Sequence, residues 1–266
     1  MRYFALLLVV AVSACGFTVP RLNVFPVTQG DSVNMVRAIT QSIECELRRA
    51  TNDIIGTDIK LAATNGARSA PWLDDWGVEV ALTLKIVEGS SLNPSARGTL
   101  PSTTDPTPDV NIGASVPLSA SATRTSTFNY YYLLADLYKL GRCHEQTIAD
   151  LPGGSLLIRN DLRIGDWLAA HTVAAGTGAI PVSGSPKALT HRVDFVTSFG
   201  GSVDLTAPNT SPTVSAITLR AGADRKQTHS VLMTFGQANP QKTGLTGSAA
   251  DAFRAAQIAA SINQVQ

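Results

Sequence analysis

The chain has 266 residues, 44% of them hydrophobic and 15% charged, with 21 Lys and Arg against 20 Asp and Glu. That leaves ample apolar content for a core and room for one large domain or two modest ones, while the charged fraction is well below the usual quarter or so. A nearly neutral balance, with no basic run interleaved with aromatics, excludes nucleic acid as an expected partner.

Met1-Arg2-Tyr3 is a short positive start, Phe4 to Val12 is almost unbroken apolar chain, and Val12-Ser13-Ala14-Cys15 follows. This is the layout of an export signal, and the apolar run is shorter than the roughly 20 residues of a spanning helix. Val12 to Cys15 resembles the lipobox of bacterial lipoproteins. The resemblance implies a signal peptide over 1–14, cleavage before Cys15 and acylation of Cys15 with chains such as palmitate. It also implies a lipidated tether over 15–30. Several acyl chains attach a protein stably where one alone is marginal. The alternative is an ordinary signal cleaved near Ala14, with Cys15 incidental. The resemblance implies a cell-envelope location, anchored to the periplasmic face of a membrane. By analogy with enterobacterial sorting, the non-acidic Gly16 points to the outer membrane.

Beyond Cys15 the chain has two cysteines, Cys45 and Cys143. In an exported protein such a pair is expected to form a disulfide. A bridge closing so long a loop stabilises by about 4–5 kcal/mol in the chain-entropy account. The alternative is two separately buried thiols.

Asp31 or Ser32 can cap a helix, and Val36, Ile39, Ile43 and Leu47 then fall on one apolar stripe. Arg48 and Arg49 are expected in its last turns, where the helix dipole favours cations. Val78, Val80, Leu82 and Leu84 alternate with polar or small neighbours, which predicts a strand with one wet face. Ser90 to Pro108 reads as a loop, Ile112 to Ala122 as a second strand and Thr125 to Leu134 as a third. Tyr130-Tyr131-Tyr132 should alternate faces in that third strand. The order then recurs: a helix over Leu156 to Ala175, a strand over His191 to Phe199, a loop over Ser202 to Pro212, and strands over Val214 to Arg220 and Thr228 to Phe235. A last helix is expected over Ser248 to Ile262. Ala122-Thr123-Arg124-Thr125-Ser126-Thr127 and Ala223-Asp224-Arg225-Lys226-Gln227-Thr228 agree in Ala, Arg and Thr at equal spacing. The expected class is α+β and β-rich, with two duplicated helix-plus-antiparallel-sheet modules, 31–150 and 151–266, the second carrying the C-terminal helix.

Through Cys45-Glu46-Leu47, Ser90-Ser91-Leu92-Asn93-Pro94 and Ala122-Thr123-Arg124-Thr125 the body resembles an uncharacterised family of proteobacterial exported proteins. That resemblance implies a lineage and no mechanism.

Little in the sequence reads as chemistry. His144, His171, His191 and His229 lack the close spacing of a zinc site, and no metal or cofactor is expected. No G-x-S-x-G elbow occurs; Gly153-Gly154-Ser155 and Gly200-Gly201-Ser202 read as turns. Asp74-Asp75 between Trp72 and Trp76 reads as a loop anchored by its tryptophans, or as a carboxylate pair beside sugar-binding platforms. Arg124 and Arg225 are expected at equivalent turns. They read as structural arginines bonding carbonyls or a carboxylate, or as binding points for an acidic partner. The sequence therefore points to a lipid-anchored envelope protein of non-catalytic binding or scaffolding role. An envelope protein partner is expected, with docking at strand edges. The competing reading is an envelope hydrolase or carbohydrate-binding protein using the Trp72 to Trp76 loop.

Overall fold

The computed structural model describes residues 29–100, 110–143, 161–176, 187–208 and 216–263. The lipobox, the tether up to residue 28, His144 and Gly153-Gly154-Ser155 lie outside these residues. In chain order the elements are helix α1 (Gln29–Asn65), a 3-10 turn (Pro71–Asp75), strands β1 (Trp76–Leu100), β2 (Val110–Ser115) and β3 (Leu118–Leu133), and short helix α2 (Leu134–Leu140). Helix α3 (Ile164–Gly176), strands β4 (Ala188–Pro208) and β5 (Ala216–Gln237), and helix α4 (Gly247–Asn263) follow among the described residues. The fold is α+β and β-rich and carries a C-terminal helix. Each half supplies a helix and an antiparallel pair: α1 with β1 and β3, then α3 with β4 and β5. The strands make one antiparallel sheet in the order β2-β1-β5-β4, with β3 also paired to β1.

Several expected boundaries are corrected. Helix α1 does not stop after Arg48 and Arg49. Ala50 and Ile55 are buried and extend its apolar stripe, and the helix ends only where Gly66 takes a φ of 78°. There the Gly66 N–H donates to Ala62 O at 2.8 Å, a glycine-dependent stop. The expected loop Ser90 to Pro108 is strand as far as Leu100, and Ser202 to Pro212 is strand as far as Pro208. No turn exists at Arg124 or at Arg225: each lies inside a continuous strand, β3 and β5 respectively. Ser, Thr and Gly signal turns locally, but here they alternate with apolar residues. The ladder partners come from distant sequence, and cross-strand pairing overrides the local signal.

The chain divides into two compact units that cut across the halves 31–150 and 151–266. The described residues of one fall in Asn23–Leu84, Ser126–Phe195 and Thr228–Gln266, and those of the other in Lys85–Thr125 and Val196–Gln227. The reason is strand length, since β1, β3, β4 and β5 each contribute to both units.

The first unit is layered helix–sheet–helix. Val78, Val80, Leu82 and Leu84 of β1 and Val231, Met233 and Phe235 of β5 pack beneath Ile39, Ile43 and Leu47 of α1 and Leu168 of α3. Phe128, Tyr130 and Tyr132 of β3 join this face. On the opposite face Ala81 and Leu232 meet Phe253 of α4. Tyr131 points away from its neighbours and lies over Gly77, where an added Cβ would collide with its ring.

The Sγ atoms of Cys45 and Cys143 are joined, with their Cα atoms 5.4 Å apart. The bridge ties α1 to the segment after α2. Beside it Arg48 donates from Nε to Gly141 O at 2.8 Å and from Nη2 to Leu140 O at 2.7 Å, satisfying carbonyls at the end of α2. Reduction, or Cys143→Ser, is expected to lower stability by about 2–4 kcal/mol. Thermal melts with and without reductant measure this, and an unchanged melting temperature contradicts it.

Candidate functional site

The Trp72 to Trp76 loop is held from below. Asp58, buried on α1, accepts from Arg68 Nε at 2.8 Å, from Ser69 N at 2.8 Å and from Ala70 N at 3.2 Å. Arg68 then grips Asp74 with both terminal nitrogens, at 2.5 and 3.1 Å. This is the two-pronged pairing that guanidinium suits. Trp76 is fully buried, and Trp72 packs tilted against it with ring centroids 4.4 Å apart. Asp75 lies 4.0 Å from Lys242. The tryptophans are core anchors, and Asp74 is committed to Arg68, so the loop presents no paired aromatic platform. Arg68→Ala is expected to cost about 1.5–3 kcal/mol through the lost charged hydrogen bonds. Denaturant unfolding measures it, and a loss below half a kcal/mol or so contradicts the clamp.

A second polar centre was not foreseen in the sequence. Glu46 on α1 reaches the start of α3, where Leu162 N donates to its Oε2 at 3.0 Å and Ile164 N to its Oε1 at 3.1 Å. It thereby caps a helix distant in sequence. Burial pushes its pKa up to about 7 against the lowering effect of the two backbone N–H groups, and the neighbouring Asp161 carboxyl raises it further. Asp161 moves the opposite way, lowered first by the Arg163 N–H and next by its hydrogen bond to Glu46. The contact between the two carboxyls adds to both shifts, behind burial for Glu46 and behind the Arg163 N–H for Asp161.

The histidines near this centre are structural. Trp167 lies between His171 and His191, at ring-centroid distances of 4.6 and 4.8 Å. His171 Nδ1–H donates to Trp167 O at 2.7 Å, and His191 Nε2–H to Leu162 O at 3.1 Å. His229 is buried on β5, and burial keeps its pKa below the ordinary value. No group of three or more His, Cys, Asp or Glu able to hold a metal occurs among the described residues.

A cavity of about 430 Å³ lies against α1 and α3, lined by Ile54, Leu61, Ala169 and Thr172, with Asp53, Asp58 and Asp166 at its wall. Its acids are partly spoken for: Asp53 pairs with Arg142 and Asp58 with Arg68. What remains is a largely apolar hollow without a reactive pair.

Arg225 sits mid-strand on β5, its Nε 3.4 Å from Oε1 of the buried Glu88 on β1. Arg124 sits mid-strand on β3. Gly200-Gly201 is strand, and a Cβ on Gly89 would collide with the Asp224 carboxylate. Glycine there lets the Asp224 side chain lie flat across β1.

No family model matches the chain, and no curated protein is similar to it in sequence. Among solved structures it is similar to the Salmonella SPI-1 type III secretion injectisome secretin InvG, residues 176 to the end, in the open gate state. That match has 10% identity and a TM-score of 0.23, over 67% of this chain and 64% of that one. A near-atomic cryo-EM structure of the same secretin matches with 8% identity and a TM-score of 0.19, over 70% of each chain. A chain of the ETEC pilotin–secretin AspS–GspD complex matches with 9% identity and a TM-score of 0.22, over 77% of this chain and 56% of that one. The chain thus spans just under two thirds of the first structure and little more than half of the last. Scores this low mark no shared fold and assign no function.

Folded Glu46 keeps its proton to about pH 7, whereas the unfolded group releases it near 4.5. Its contribution is therefore full below about pH 4.5 and is lost as pH rises to about 7. After allowance for partial exposure the loss is about 1–2 kcal/mol. Glu46→Gln should flatten this slope in urea midpoints taken across the window; an equal slope in both proteins contradicts the assignment.

Proposed function

We propose that this is a lipid-anchored envelope protein whose body binds or scaffolds rather than catalyses, with its sheet edges as the docking elements. The observation that carries the reading is the outer edge of β4. Among the described residues β4 ends the sheet, paired on one side to β5. It is 21 residues long and exposes Val196, Phe199, Val203 and Leu205. Folded proteins usually blunt such edges with charge, proline or brevity; β4 has Asp194, Asp204 and a terminal Pro208 but runs uncharged from Phe195 to Val203, and an edge of that length suits strand addition by a partner.

The lipobox supplies the anchor and the compartment. A disulfide suits an oxidising envelope compartment. The residues that read as chemistry in the sequence have structural work instead: Asp74 holds Arg68, Trp76 fills the core, and His171 and His191 flank Trp167. That weighs against the carbohydrate-binding or hydrolase reading.

Metabolic labelling with radioactive palmitate tests the anchor. Label is expected on the wild type and absent from Cys15→Ser, which should leave the membrane fraction. An unlabelled wild type contradicts lipidation. Cross-linked pull-down of the wild type tests docking: a stoichiometric product, whether to an envelope protein or to a second copy, is expected, and its absence contradicts the reading.

A further inference from the structure

The unit formed by Lys85–Thr125 and Val196–Gln227 consists of long strands whose two faces differ in one consistent way. The cross-strand contacts fix which residues share a face. Asp204 pairs with Arg220 at 2.7 and 3.0 Å, and the Thr206 and Thr218 hydroxyls are 3.4 Å apart. These four residues therefore stand on one face. Asp224 lies over Gly89, and a Cβ on Gly222 would come within 2.7 Å of Ser91 Oγ, which adds the odd residues of β1 to that face. Directly opposite pairs such as Ser95↔Ser115 and Arg97↔Gly113 add the odd residues of β2. This face carries Ser91, Asn93, Ser95, Arg97, Ser202, Asp204, Thr206, Arg220 and Asp224.

The other face takes the alternate residues. It holds Leu92 and Ala96 of β1, Leu118, Ala120 and Ala122 of β3, Val203 and Leu205 of β4, and Leu219, Ala221 and Ala223 of β5. Its charges are Glu88, Arg124 and Arg225, gathered near the start of the unit. Beyond them no described residue on this face is charged. Phe199, Val203 and Leu205 are nevertheless 62%, 59% and 60% exposed.

A strand that is apolar on one face and polar on the other, over about 9–11 residues, is the pattern of a membrane-spanning β-barrel. No described helix is long and apolar enough to cross a membrane; where a chain spans with strands, every backbone group has to be paired within a closed barrel. The four strand positions among the described residues are too few to close a barrel, since the smallest have about eight. Open edges do not occur in hydrocarbon, so both edges, β4 and β2/β3, must be paired. The antiparallel order supplies the partner. With β1 antiparallel to both β3 and β5, and β5 antiparallel to β4, a second copy places its β3 antiparallel to β4 of the first. Repeating this head-to-tail contact closes a ring where the rotation between copies closes.

We propose that this unit is the membrane-inserted part of a barrel built from several copies of this chain, with the Leu205 face towards lipid and the Asp204 face towards a water-filled lumen. Glu88, Arg124 and Arg225 lie at the border of the apolar band, where long charged side chains reach the interface. Arg124 of β3 and Arg225 of β5 thus both fall at this border. The inference rests on the envelope reading for its membrane but not on acylation of Cys15, and the two fail separately.

The test is site-directed spin labelling of the full chain in phosphatidylethanolamine–phosphatidylglycerol vesicles. Val203→Cys, Asp204→Cys, Leu205→Cys and Thr206→Cys are labelled one at a time, with the parent chain as background. All four positions are exposed or nearly so, and the substitutions leave the core untouched. Positions 203 and 205 are expected to collide preferentially with oxygen and 204 and 206 with a water-soluble nickel chelate, a severalfold alternation of period two. Equal nickel access at all four overturns the proposal and leaves a sheet standing in water. Protection of 203 and 205 from both probes also overturns it, because protein then covers the face. Loss of palmitate label with the alternation intact would remove the anchor and keep the barrel.

Discussion

Everything in this molecule depends on one register, that between β1 and β5. It joins the antiparallel pair of the first half to that of the second. Glu88 meets Arg225, Gly89 lies under Asp224, and Ala81 reaches the α4 layer together with Leu232. A slip of one residue would send every side chain of one pair to the opposite face. Val231, Met233 and Phe235 would leave the α1 side, and Asp224 would enter the apolar face. Register is strongly specified where one face is buried, and the core beneath Ile39, Ile43 and Leu47 specifies it here. The hairpin ends inherit their two-faced character from that choice.

The few charges are placed to secure the helices over the sheet. Glu46 caps α3 from α1, Asp58 and Arg68 pin the segment leading into β1, and Arg48 closes α2. The Cys45–Cys143 bridge lies beside the last of these contacts. Each uses a charged or covalent link to a backbone terminus or loop, where an unpaired buried group would cost about 1–3 kcal/mol. Rigid support of this kind suits a body whose long strands have to keep their register.

Much of the fold was legible in the sequence. The Val36 to Leu47 stripe, the alternation at Val78 to Leu84 and the C-terminal helix all stand where periodicity put them. The expected repeat of a helix and three strands does not: the second half has two strands, because the strands expected over 214–220 and 228–235 are the single β5. What failed was the reading of Ser-, Thr- and Gly-rich stretches as loops. Ser90 to Leu100 and Ser202 to Pro208 are strands because their polar residues occupy alternate positions, and local composition conceals that when the partner strand is distant in sequence. The same error placed Arg124 and Arg225 at turns. The matching of these two arginines was visible, but their mid-strand placement was not. Glu46 was hidden for another reason. A carboxylate between Cys45 and Leu47 looks like an ordinary helix residue until α3 arrives from more than a hundred positions away.

Copies of the same chain are proposed to complete both edges of this sheet. Native mass spectrometry of the full-length protein, extracted from membranes in mild detergent, decides it. A single discrete multiple of the protomer mass, large enough to supply at least about eight strands, is the predicted result. A spectrum containing monomer alone, under conditions that preserve other membrane oligomers, would contradict it.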